Sequence, residues 1–120
     1  IILYNTDYLK KMIYSAILQN FTIIADYSEN PGDFNDILIK ILKANKQPIE
    51  FYVIPYQSYE FYFLQADHYI YSCIVNNNTD NEKVLLFLQT LKEKFISLCA
   101  LDKDNLTLKT TNIIRETMVK

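Results

Sequence analysis

The stretch IEFYVIPYQSYEFYFLQADHYIYSCIV, residues 49 to 75, leaves few options for the fold. It holds three runs rich in aromatic and β-branched residues, at 49 to 54, 59 to 65 and 68 to 75. Side chains of this kind suit a pleated, half-buried surface. The links between the runs are short, Pro55 to Ser58 and then Ala66-Asp67. Short links between strand-like runs predict an antiparallel meander.

The flanking segments supply the rest of a sheet and its cover. MIYSAILQ (12 to 19) and FTIIADYS (21 to 28) read as two more strands around Gln19-Asn20. Asparagine tolerates positive φ, so a tight hairpin is expected there. ENPGD, with the one glycine of the chain, ends the second strand. Asp33 can then cap a helix over 33 to 44, in which Phe34, Ile37, Leu38, Ile41 and Leu42 recur at helical spacing. Ile39 falls roughly 130° from the centre of that stripe and is expected to face outward or toward a partner. A second helix over 81 to 98 places Val84, Phe87, Leu88, Leu91, Phe95 and Leu98 on one face. LDKDN (101 to 105) breaks it, and residues 110 to 119 predict a last short helix. The order ββαβββαα implies an α+β domain: one five-stranded, largely antiparallel sheet with one helix on one face and two on the other. The domain is expected to span 12 to 120. Residues 1 to 11 fit its pattern poorly and are read as an N-terminal extension.

Chemistry is harder to find. Net charge is −2, so no basic field draws nucleic acid. The tyrosines at 52, 56, 59, 62, 69 and 71 lack the basic neighbours of a base-stacking platform, and sheet packing is expected of them. The NNNTDNE stretch (76 to 82) is rich in oxygen but lacks the glycine and ligand spacing of a calcium loop. Helix capping by Asn78, Thr79 or Asp80 is expected there instead. His68 and Cys73 sit five apart on one run, hence on opposite faces, which argues against a nucleophile and base. Cys99 is remote, and both cysteines are expected as buried free thiols of a reducing compartment. No phosphate-binding glycine motif exists. The residues therefore predict no catalytic site, no cofactor site and no metal site. A binding module, not an enzyme, is expected. No apolar run reaches the roughly 20 residues of a membrane span, so any membrane attachment is expected through a segment outside this chain.

The element order, GDF opening the first helix, and YEFYFLQADHYIYSCIVNNNTDNEKVLLFLQTLKEKF together resemble the longin domain. The likeness is to the profilin-like form at the N-terminus of R-SNAREs of the vesicle-associated membrane protein seven type. It covers about 12 to 98 well and the remainder loosely. The resemblance implies an α-β-α sandwich that regulates vesicle trafficking and membrane fusion on the cytoplasmic face of endomembranes or vesicles. Its implied partners are its own downstream SNARE motif, other SNAREs and trafficking adaptors. The docking surface implied lies between the first helix and the third strand. On this chain that means Ile39, Lys43, Phe51 and Val53, with the choice between Phe51/Val53 and Tyr52/Ile54 open because one residue of slip exchanges the faces. A longin-like subunit of a vesicle-coat adaptor, or of a tethering or exchange-factor complex, is the alternative. A ligand-sized pocket with convergent polar groups would point instead to a small-molecule enzyme or sensor.

Overall fold

A computed structural model describes residues 12–29, 32–76, 79–101 and 104–118. The expected extension at 1 to 11 lies outside them. Eight elements follow in the order ββαβββαα: β1 (Met12–Gln19), β2 (Thr22–Ser28), α1 (Phe34–Asn45), β3 (Phe51–Tyr56), β4 (Tyr59–Ala66), β5 (Tyr69–Asn76), α2 (Asn81–Leu101) and α3 (Leu106–Met118). The strands form one sheet in the order β2-β1-β5-β4-β3, with each neighbouring pair antiparallel.

Alternation divides the side chains between two cores. One holds Ile17, Tyr62, Leu64, Tyr71, Cys73 and Val75 of the sheet with Val84, Leu88, Leu91 and Phe95 of α2 and Ile114 and Met118 of α3. The other holds Tyr14, Ala16, Leu18, Tyr52, Phe61, Phe63, Ile70 and Ile74 with Leu38, Ile41 and Leu42 of α1. One helix therefore covers one face and two cover the other, as the α-β-α sandwich of the longin resemblance implies.

The middle of the sheet is built from small residues. Ser15 pairs with Cys73, and Ala16 with Ser72. Both serines are fully buried, and each hydroxyl finds a backbone acceptor across the β1–β5 junction. Ser15 Oγ donates to the Ser72 carbonyl at 2.8 Å, and Ser72 Oγ to the Ala16 carbonyl at 3.1 Å. A buried hydroxyl left unpaired costs about 1–3 kcal/mol, so these bonds are what makes serine tolerable there.

Several boundaries differ from the sequence expectation for identifiable reasons. The β1–β2 turn is Asn20-Phe21, one residue later than expected, with Gln19 opposite Thr22 and Asn20 at φ 57°. β3 runs through Pro55 to Tyr56 because an edge strand has one side where a missing N–H breaks no ladder bond. α3 starts four residues early. The Lys109 N–H donates to the Asn105 carbonyl at 3.1 Å, and Leu106 packs against the α2–α3 core, so the helix is already formed there. Asp33 holds the N-cap position of α1, but its side chain makes no cap hydrogen bond. For α2 the expectation of a cap is met by Asp80, whose Oδ1 accepts from the Glu82 N–H at 2.9 Å. Thr79 donates back to the Asn76 carbonyl at 2.8 Å, and Asn78 lies outside the described residues.

Candidate functional site

The residues considered for nucleophilic chemistry are held apart. Cys73 is fully buried in the α2–α3 core, and burial pushes its thiol far above its ordinary value. Such a thiol has almost no thiolate at neutral pH and is a poor nucleophile. His68 is exposed, in the turn between β4 and β5, where Asp67 and His68 have φ of 51° and 72°. Two positive φ values between the paired Ala66 and Tyr69 define a type I′ hairpin. Cys99 is a half-buried thiol outside any disulfide. Among the described residues no cluster of His, Cys, Asp and Glu is placed to hold a metal ion. Among them, too, no helix is long and apolar enough to cross a membrane.

A cleft of about 680 Å³ opens at the end of the sheet where α1 hands over to β3, beside Lys46, Gln47, Glu50, Gln65 and His68. Its central polar group is already engaged. Gln65 Nε2 donates to the carbonyls of Gln47 and Ile49, both at 2.7 Å, and Gln65 Oε1 accepts from Lys46 Nζ at 2.6 Å. The side chain of Gln65 thereby staples the α1–β3 connection to β4. The tyrosines likewise serve packing: Tyr52 lies against Phe63, Tyr56 against Phe61, and Tyr69 and Tyr71 against Phe95, with ring centroids 5.0–6.1 Å apart.

The remaining candidate is the boundary between α1 and β3. The β3–β4 register, Phe51↔Leu64 to Tyr56↔Tyr59, settles which strand residues share a face with α1. Phe51 and Val53 are half-buried against the α2–α3 core, and Tyr52 and Ile54 belong to the α1 core. Phe51 and Val53 therefore lie across the sheet from Ile39, and these two cannot line a groove with α1. Ile39 is half-buried against the α1 core and does not point outward. Lys43, one turn on, is exposed, with Nζ 5.6 Å from the centre of the Phe21 ring. That contact turns the Ile39–Lys43 flank of α1 toward the β1–β2 turn. At about 100° per residue, Ile37 and Ile41 occupy the opposite flank, toward β4 and β3.

Between that flank of α1 and the β3–β4 edge lies an apolar surface, here termed the trough. Tyr52, Phe61 and Phe63 form a buried floor, and Ile37, Ile54 and Tyr59 are half-buried beside it. Tyr56, 37% exposed, closes one end. Of the residues expected from the sequence, Ile39 and Lys43 sit on α1 but on its other flank. Ile54 was one of the two choices left open, and Ile37, Tyr56 and Tyr59 were missed. The helical spacing put Ile37 in the core stripe, and only the strand register could bring Ile54, Tyr56 and Tyr59 beside it.

No family model matches the chain, and no curated protein matches it. Among solved structures, the chain is similar to one titled "MglB with tetrameric arrangement", with a TM-score of 0.50 and 10% sequence identity. The likeness covers 93% of this chain and 85% of that one. At that identity it concerns the fold alone: a longin-like α+β domain with a five-stranded antiparallel sheet and three helices.

Proposed function

We propose that this chain is the regulatory longin domain of an R-SNARE, acting in vesicle trafficking by docking its own downstream SNARE motif in the trough between α1 and β3. The observation that carries this reading is the trough itself. Ile37, Ile54, Tyr56 and Tyr59 leave apolar surface open beside a fully formed core, on a chain whose Cys73 is buried and whose Gln65 is engaged. Covering such surface yields roughly 25 cal/mol per Å². A segment tethered to the same chain docks at high effective concentration, so modest contacts suffice. A docked SNARE motif is hidden from its cognate SNAREs until an adaptor or another SNARE competes for it.

The test uses the chain extended through the residues encoded after Lys120. Hydrogen exchange at Ile37, Ile54 and Tyr59 should slow relative to the domain alone, and Ile37→Asp should reverse that protection. Ile39→Asp, on the other flank of α1, should leave it largely intact. A downstream sequence without heptads, or protection indifferent to Ile37→Asp in a folded protein, refutes the reading. A second reading, a longin-like subunit of a vesicle-coat adaptor or tethering complex, gains support from the fold neighbour, whose title describes a tetrameric arrangement. It predicts co-purification with large partner subunits through the same trough.

A further inference from the structure

The outer edge of β3 carries information that the trough does not use. The Gln65 N–H donates to the Glu50 carbonyl at 2.7 Å, so Glu50 and Gln65 form a hydrogen-bonded pair of the β3–β4 ladder. Antiparallel pairs alternate between bonded and non-bonded. The observed register then turns the backbone groups of Tyr52, Ile54 and Tyr56 toward β4. Those of Phe51, Val53 and Pro55 point away from the sheet. Among the described residues β3 has no strand on that side. The free groups are therefore the N–H and C=O of Phe51 and Val53 and the C=O of Pro55.

Two properties of this edge point to an occupant. First, FYVIPY carries no charge, whereas natural edges are commonly blocked by lysine, an inward-pointing charged residue or proline, and here Pro55 removes only one outward N–H. Second, the pattern of free groups is self-complementary. We propose that β3 pairs antiparallel with β3 of a second copy of this chain, about a two-fold axis through Val53. In that register each Val53 N–H meets the Val53 carbonyl of the other copy. Each Phe51 N–H meets the Pro55 carbonyl opposite. Every outward N–H is satisfied, and the Phe51 carbonyl, which faces the N–H-less Pro55, is the one outward group left to solvent. Tyr52 comes opposite Ile54 on the α1 face, so the apolar surface of the two troughs becomes continuous. This register overlaps the longest run available within the strand, Phe51 to Pro55. Closed two-fold pairing is also the commonest form of self-association, and a net charge of −2 opposes it little.

Sedimentation equilibrium of the chain over a wide concentration range tests this, with Val53→Pro as the principal variant. Proline at 53 removes an outward N–H and leaves all β3–β4 ladder bonds in place, as Pro55 already does. The wild type should be a reversible dimer. Val53→Pro should raise the dimer dissociation constant at least tenfold while the monomer stays folded, with its melt lowered only by the lost packing of the half-buried Val53 side chain. Val53→Lys, which sets two like charges beside the axis, should do the same and serves if the proline variant fails to fold. A wild type that is monomeric at every concentration, or a dimer indifferent to both variants, overturns the proposal. So does a monomer that instead binds a strand-length peptide of different sequence along β3. None of these outcomes alters Ile37, Ile54 or Tyr59, so the edge and the trough stand or fall separately.

Discussion

Raising the pH should unfold this domain in a steep and countable way. Four of its ten tyrosines, Tyr14, Tyr52, Tyr62 and Tyr71, are buried and held above the ordinary tyrosine range, in each case chiefly by burial, and the shift is large for Tyr14, Tyr62 and Tyr71. Tyr14 is also held up by its hydrogen bond to Asp26 Oδ2 at 2.7 Å, and Tyr62 by the neighbouring Glu60 carboxylate. Burial raises the Cys73 thiol as well. In each case the native state keeps a proton that the unfolded chain releases, near pH 8.5 for cysteine and near pH 10 for tyrosine. The stability these groups contribute is therefore complete below the unfolded values and is lost as pH rises through and beyond them. Each retained proton lowers the unfolding free energy by about 1.4 kcal/mol per pH unit. Cys73 acts alone at first, and above pH 10 the strongly shifted Tyr14, Tyr62 and Tyr71 join it, giving a slope of up to roughly 5 kcal/mol per pH unit. By pH 11 the accumulated loss is about 7 kcal/mol, comparable with the 5–15 kcal/mol that holds a small domain together. Denaturant titrations between pH 7 and 11 give the slope, and ultraviolet absorbance of tyrosinate shows whether these hydroxyls ionise only on unfolding. Tyr71→Phe should flatten the slope by one proton. At neutral pH it should be neutral or stabilising by about 1 kcal/mol, because the buried Tyr71 hydroxyl has no hydrogen-bond partner among the described residues. Tyr14→Phe should flatten the slope equally but cost about 1.5–3 kcal/mol at neutral pH, through the lost bond to a charged acceptor. A shallow alkaline slope, or tyrosinate appearing in the folded protein near pH 10, refutes the reasoning.

Two further outcomes can be checked by thermal denaturation. His68→Gly should stabilise by about 1 kcal/mol, because glycine accepts the left-handed conformation that costs other residues roughly 1–2 kcal/mol, less its own entropy; a lower melting temperature would argue against a type I′ turn. Asp80→Ala should cost about 1 kcal/mol by removing the cap on the Glu82 N–H. Asp80→Asn should restore most of that loss, and equal effects of the two would show that the cap is not the cause.

The architecture was legible in the sequence because three signals agreed. Three apolar runs with short links could only neighbour one another, the period changed from two to 3.6 at α1 and α2, and turn residues marked most of the joins. The misreadings share a cause, in that local chemistry was asked a question whose answer is tertiary. Pro55 looked like a terminator until β3 proved to be an edge. Ile39 was expected to face outward or toward a partner, but α1 leans on β2 and buries it halfway. Phe51 and Val53 could not be told from Tyr52 and Ile54 until Gln65 and Glu50 set the ladder. The trough therefore needed three dimensions. Its residues come from a helix, an edge strand and the start of a third element, and no spacing rule connects them.

The paired serines at the centre of the sheet also bear on how the chain comes together in time. Ser15 and Ser72 stand 57 positions apart, and even the nearest β1–β5 pair, Gln19 and Tyr69, is 50 positions apart. The β1–β2 hairpin and the β3–β4–β5 meander close short loops and can each form early. The junction between them must wait for a long loop, and such distant pairings slow the search for the native state. On a ribosome, β1 is synthesised long before its partner, with an apolar edge that only β5 can cover. The serines sit on that late junction, so substitutions there should act mainly on how long β1 stays uncovered, and with it on the chance that a nascent chain pairs with a neighbour.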